Sequence, residues 1–184
     1  MQLSLPLQFN INTILLFDIE YDMDNLVQFA ALILRRQKDT LFQLQQSVNI
    51  YIKQPKSLNP FFTKYTNITN EFLTDYGTTM ADAQEQIAAI LHELDLSRTV
   101  IVSHGLKNDL LVLNKNNLPL TECKYHYCTY NNAKRLLKRD HHLTLTDIAA
   151  ESGYMLFNAH NAYADVWGTL NVFCYLQEIE NENI

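Results

Sequence analysis

The stretch LLFDIEYD, residues 15–22, is apolar as far as Phe17 and then delivers two carboxylates, Asp18 and Glu20, with one apolar residue between them. Along a β-strand, side chains alternate faces, so residues two apart point the same way. Two like charges side by side at the end of a buried strand are costly unless a cation holds them together. A metal ion is the usual cation. Three further residues have the right chemistry and the right local context. Asp109 follows the short apolar run TVIVSH, which ends at His104, on the helix that this strand feeds. His160 and Asp165 lie in HNAYAD at the start of the last long helical stretch. Five residues turn a helix by roughly 140°, so His160 and Asp165 cannot share one face. His160 is therefore expected in the loop or first turn before the helix, projecting over the site that Asp165 helps to form.

The elements that must position these residues can be read from the pattern of apolar positions. Residues 11–17, 26–36 and 41–52 read as three strands in an antiparallel meander, with LFQLQQSVNIYI alternating apolar and polar. NPFFTKYTNIT reads as loop. TTMADAQEQIAAILHEL has helical spacing, with Thr79 as N-cap and Asp82 in the first turn. TVIVSH is a strand buried on both faces, LKNDLLVLNKNN a helix, KYHYCTY a strand and NNAKRLLK a helix. TLTDIAAESGY, capped by Thr144 and ending near Gly153, and AYADVWGTLNVFCYLQEIE are two more helices. Strands first, then strands alternating with helices, predict an α/β domain with a mixed five-stranded sheet and helices on both sides. In such sheets chemistry gathers at strand ends and at the helix starts that follow them.

Composition sets limits. A chain of 184 residues, 47% hydrophobic, suits one domain spanning residues 1–184 with a proper core. No apolar run reaches the ~18 residues of a membrane span, and MQLSLPLQFNIN lacks the flanks of a signal peptide. The expectation is a soluble, intracellular, cytoplasmic protein with no membrane partner. Cys123, Cys128 and Cys174 are expected as free thiols. CKYHYC, with Cys123, His126 and Cys128, lacks a fourth zinc ligand and reads as strand. A net charge of −6 speaks against a broad nucleic-acid-binding surface. Four acids that hold two divalent ions would be neutralised, however, leaving the rest of the chain only slightly acidic. A small basic groove is then compatible with the composition.

FDIE, SHGLKND and HNAYAD resemble, in order, the three motifs of the DEDDh (DnaQ-like) 3′-to-5′ exonucleases, a family of the ribonuclease H-like superfamily. The resemblance runs from about Ile14 to Gln177. YTNITNEFL resembles the family's segment after the third strand, and CTYNNAKRLL with LTLTDIAAESGY resembles its run ahead of the last motif. It implies a three-layer α/β/α domain and two-metal phosphodiester hydrolysis with Mg²⁺ or Mn²⁺. Asp18 would bridge both ions, Glu20 and Asp165 would complete the first site, Asp109 would hold the second, and His160 would be the general base. The implied substrate is the 3′ end of single-stranded nucleic acid, with DNA placed ahead of RNA, and the implied products are nucleoside 5′-monophosphates. An oligoribonuclease-like enzyme is one alternative. A weakly active binding module, suggested by the acidity and by EYDMD, is another.

Two departures stand out. Where members of the family carry one or two Thr after D-x-E, this chain has EYDMD, which offers Tyr21 as a base-stacking group and places Asp22 and Asp24 near a phosphate path. Gly105 stands where an Asn often follows the motif's His, and His104 is read as a substrate contact. Lys134, Arg135, Lys138 and Arg139 in KRLLKR read as a solvated helix face ahead of a phosphate contact. Trp167, Phe173 and Tyr175 read as core, while Phe61 or Phe62 is a further stacking candidate. A homodimer or a polymerase or other nucleic-acid-processing partner is left open.

Overall fold

The computed structural model describes residues 1–5, 10–118 and 120–182. Its centre is a strand that the sequence makes apolar on both sides, β2 (Thr13–Asp22). A two-residue turn with Met23 in the left-handed region, φ 58°, returns the chain as β3 (Asn25–Lys38). Asp39 and Thr40 then turn it into β4 (Leu41–Tyr51). These three strands form the expected antiparallel meander. On the other side of β2, β5 (Thr99–Ser103) and then β6 (Tyr125–Cys128) pair in parallel. The sheet is mixed, as expected, but among the described residues has six strands, in the order β1-β4-β3-β2-β5-β6. The sixth is β1 (Gln2–Ser4), an antiparallel edge strand on β4. Three residues leave too short a period for alternation to register.

Helices cover both faces. The odd-numbered residues Leu15, Phe17 and Ile19 of β2 pack with Ala83 and Ile87 of α3 (Met80–His92) and with Leu106, Val112 and Leu113 of α4 (Leu106–Lys115). The even-numbered Ile14 and Leu16 pack with Val166, Leu170 and Phe173 of α7 (Ala162–Glu182). On the side of α7 away from the sheet, its Val172 and Leu176 meet α5 (Thr129–Leu136) and α6 (Leu145–Glu151) through Ala133, Ile148 and Ala149. Thr79 and Thr144 cap α3 and α6 as expected, Thr144 in a reciprocal capping box with Asp147.

NPFFTKYTNIT and the residues after it are mostly not loop, only Asn59 and residues 67–69 of that stretch lying outside helices. They form α1 (Pro60–Thr66) and α2 (Asn70–Tyr76). The side chains of Asn59 and Thr69 accept from Phe61 N–H and Phe72 N–H, and Pro60 takes the first helical position. Asn67 ends α1 in a left-handed conformation, φ 61°. The same Asn, Thr and Pro that suggest loop are here helix punctuation. Likewise α5 begins at Thr129, directly after β6, ahead of the expected start. Among the described residues no helix is long and apolar enough to cross a membrane.

Candidate active site

Continuing the alternation of β2 past Leu16 puts Asp18 and Glu20 on the α7 face. Beyond Glu20 the β2–β3 register shifts, so that Tyr21 faces Leu26 and one residue of β3 is left over. Above the two acids stands the first turn of α7, and a polar network fixes its position. Gln28, fully buried in β3, accepts from Ala162 N–H (3.1 Å) and donates to Asn49 Oδ1 (2.8 Å) and Asn161 Oδ1 (3.4 Å). Asn161 accepts from Tyr163 N–H (3.2 Å), capping the helix, and donates to Tyr51 Oη (3.0 Å). Asp165, one turn in, therefore has its height and rotation set by side chains on β3 and β4 and by the Asn161 cap. Carboxylate oxygens of Asp18, Glu20 and Asp165 all lie within 4.8 Å of one another.

Asp109 enters from α4, at the end of β5. It lies outside that triad of oxygens but is close enough for its charge to raise the pKa of both Asp18 and Glu20. Ser103, the last residue of β5, donates a hydrogen bond from Oγ to Asp109 Oδ2. Between them, Gly105 sits at φ 92°, a left-handed conformation that admits Gly readily and Asn among the next best. The Gly that departs from the family's Asn is thus compatible with the turn that aims α4.

The acids are held together against their charge. Burial raises Asp18 well above the usual carboxylate range, and repulsion from Asp109, Asp165 and Glu20 adds to it. Burial, then Asp165 and Asp109, push Glu20 up to about 8. Burial takes Asp109 to about 7 against the opposing bond from Ser103, and Asp165 to about 6 against the His160 N–H. Asp165 Oδ1 is buried and has no hydrogen-bond partner among the described residues, while Oδ2 accepts from His160 N–H at 2.9 Å. Neither the Asp18 nor the Glu20 side chain meets a cation there. Hard oxygen donors crowded together, one of them orphaned, fit a divalent ion such as Mg²⁺ or Mn²⁺.

His160 does precede the helix, one residue before its cap, at φ 65°. Its ring lies against Tyr65 of α1, with centroids 3.8 Å apart, and burial lowers its pKa. Asp18, Glu20, His160 and Asp165 line a cleft of about 460 Å³, whose other wall includes Tyr130, His142 and Thr144. His104 also lines it, but its ring is engaged: Nδ1 meets Thr129 Oγ1 at 3.0 Å and the ring bonds the Leu143 backbone. Burial depresses it to about 4, leaving it neutral. Tyr21 lies outside this lining and packs against the core on the α3 and α4 side.

The remaining candidates have other uses. Asp22 Oδ2 accepts from Asn59 N–H at 2.7 Å, and Asp24 pairs with Lys115 at 2.6 Å. In KRLLKR, α5 ends at Leu136, so the four cations do not share one helical face. Arg135 pairs with Glu180 (2.6 Å) and Arg139 with Glu151 (2.7 Å). Phe62 packs inward, whereas Phe61 is 83% exposed. Sequence reasoning missed Gln28, Tyr51, Asn161 and Tyr65. Of these only Asn161 carried a local signal, a capping residue just before an apolar helical run.

A family model described as the RNase T exonuclease domain matches residues 16–173. No curated protein sequence matches the chain at a significant level. Among solved structures, it is similar to the zinc-bound form of E. coli Exonuclease I in complex with single-stranded DNA, with a TM-score of 0.75 and 16% identity. That match covers 93% of this chain and 42% of Exonuclease I, so the chain spans about two fifths of that protein. It is similar also to Exonuclease X in complex with 5′-overhanging duplex DNA, with a TM-score of 0.66, 15% identity and coverage of 91% and 93%. A 3′-exonuclease solved for its recognition of a histone mRNA stem-loop gives a TM-score of 0.69, 13% identity and coverage of 91% and 82%. At these identities the likeness is one of fold. The extent of the family match, together with acids at the end of β2 and the starts of α4 and α7, makes the chain a member of the RNase T family of DEDDh-type 3′-to-5′ exonucleases.

Proposed function

We propose that this chain hydrolyses the terminal phosphodiester bond of single-stranded nucleic acid from the 3′ end, releasing nucleoside 5′-monophosphates. The observation that carries the reading is the acid cluster itself, with four carboxyls pushed toward protonation and one buried oxygen without a partner among the described residues. Asp18, Glu20 and Asp165 would hold one divalent ion, and Asp18 with Asp109 a second. When bound, such ions stabilise charge on the attacking and leaving oxygens of an in-line displacement. His160, whose neutral form is favoured by burial, would accept the proton of the attacking water on a ring nitrogen. The water oxygen bonds to phosphorus as the bond to the 3′ oxygen breaks, leaving a 3′-hydroxyl on the shortened strand. Asn108 offers a polar group, and Tyr130 a ring, to the terminal nucleotide.

DNA is placed ahead of RNA because Exonuclease I, with the highest TM-score of the three relatives described, is solved with single-stranded DNA. The sugar preference is tested by offering DNA and RNA of one sequence to the protein and identifying the products. Nucleoside 5′-monophosphates from DNA at the higher rate support the reading. Preference for short RNA would move it to an oligoribonuclease. Metal binding without release of nucleotide from either polymer would favour the binding-module alternative.

A further inference from the structure

We propose that Tyr65 is a positioning residue for the His160 imidazole, and that Asp22 holds Tyr65 in place. This rests on the reading of His160 as the base. His160 is a non-glycine residue at φ 65°, and Asn158, two residues earlier, stands at φ 61°. Left-handed residues other than glycine are uncommon and are kept by their surroundings. The backbone is held by the bond from His160 N–H to Asp165 Oδ2. That bond fixes the Cα and leaves the side chain free to rotate. What meets the ring is Tyr65, with centroids 3.8 Å apart and planes inclined by 36°.

Tyr65 is itself 63% exposed, so burial does not explain its placement. Its position is inherited from α1, a helix of seven residues that is too short to be stable on its own. At its start, the Asp22 carboxylate accepts the backbone N–H of Asn59, the residue whose own side chain caps the helix. On its inner side Phe62 packs against the small cluster of Val27, Leu58, Ile68 and Leu73. One continuous chain of contacts therefore leaves the end of β2, two residues beyond Glu20, passes through α1, and returns to the site on His160. EYDMD thereby gains a use. Its first Asp orders the arm that carries Tyr65.

A base held in one rotamer is poised for proton transfer, and a small misplacement of a catalytic group costs rate more than affinity. Tyr65→Ala is expected to lower kcat about 10-fold with KM changed less than twofold, and Tyr65→Phe to stay within twofold of the wild type. A ring that only stacked on a nucleobase would instead raise KM, to an extent that varies with the base. The second readout is free of activity. In the metal-free protein, the carbon-bound ring protons of His160 should be shifted upfield by the Tyr65 ring, a shift retained in Tyr65→Phe and lost in Tyr65→Ala. Asp22→Asn keeps an acceptor oxygen and should retain the shift, whereas Asp22→Ala should diminish it. Identical His160 resonances in wild type and Tyr65→Ala would overturn the proposal, as would an unchanged kcat in Tyr65→Ala. A wild-type protein with the shift but no hydrolysis would overturn the function proposed for the site, and with it any role for the stack.

Discussion

Asp18, Glu20, Asp22 and Asp24 lie within seven residues at one end of one hairpin, and the fold treats them in two opposite ways. Asp22 and Asp24 are given partners: the Asn59 N–H for one, Lys115 for the other. Asp18 and Glu20 are given none among the described residues and are set instead against Asp165 and Asp109. The first pair ties the hairpin to α1 and α4. The second pair, when ionised, is a cost to the folded chain that a cation or protonation offsets. All four are carboxylates, so what separates an acid used to build the fold from one left for the candidate site is whether the surrounding residues complete it.

The sharpest way to break this comparison is to remove one acid from each pair. Asp18→Ala should reduce hydrolysis by on the order of 1,000-fold or more, whereas Asp24→Ala should leave the rate within about twofold, both measured as kcat/KM under saturating Mg²⁺.

The second prediction concerns pH and metal. Carboxyls whose pKa is raised by folding favour the native state when protonated, so their contribution is fully present below about pH 4. It is lost as pH rises through about 6 for Asp165, about 7 for Asp109 and about 8 for Glu20. In EDTA, the melting temperature should fall by on the order of 5 °C between pH 5 and pH 8. Mg²⁺ or Mn²⁺ should raise it, and more so at pH 8 than at pH 5. A melting temperature that is flat with pH would remove the electrostatic half of the argument.

Gln28 sharpens the comparison from the other side, because here a buried polar group is fully used to hold α7. Gln28→Leu leaves the Ala162 N–H without its acceptor and should cost about 2 kcal/mol in a urea melt. The smallest effect is expected at the exposed Lys115–Asp24 pair, where Lys115→Ala should move the melting temperature by no more than about 2 °C.

Much of this was legible in the sequence, and for a common reason. The meander, α3, β5 and α7 are long or strongly patterned, and their apolar periods reflect the faces they bury. The acids of the site were legible because each sits at the end of such an element. What was not legible is non-local or locally ambiguous. α1 and α2 are short and built from Asn, Thr and Pro, which cap helices as readily as they form loops. β1 offers only three residues. Gln28 looks like any polar residue in an alternating strand until α7 arrives from 134 residues later in the chain. The run KRLLKR has the spacing of one helical face, but the helix stops inside it, and its arginines turn to Glu180 and Glu151. Tyr65 and His160 are 95 positions apart, and no spacing rule joins them.

The most direct test is a Mn²⁺ titration followed by electron paramagnetic resonance on the wild type, Asp18→Asn, Glu20→Gln and Asp24→Asn. Loss of tight Mn²⁺ binding in Asp18→Asn and Glu20→Gln, with Asp24→Asn indistinguishable from the wild type, is the result that the difference between the two acid pairs predicts. Equal Mn²⁺ binding by all four proteins would contradict it.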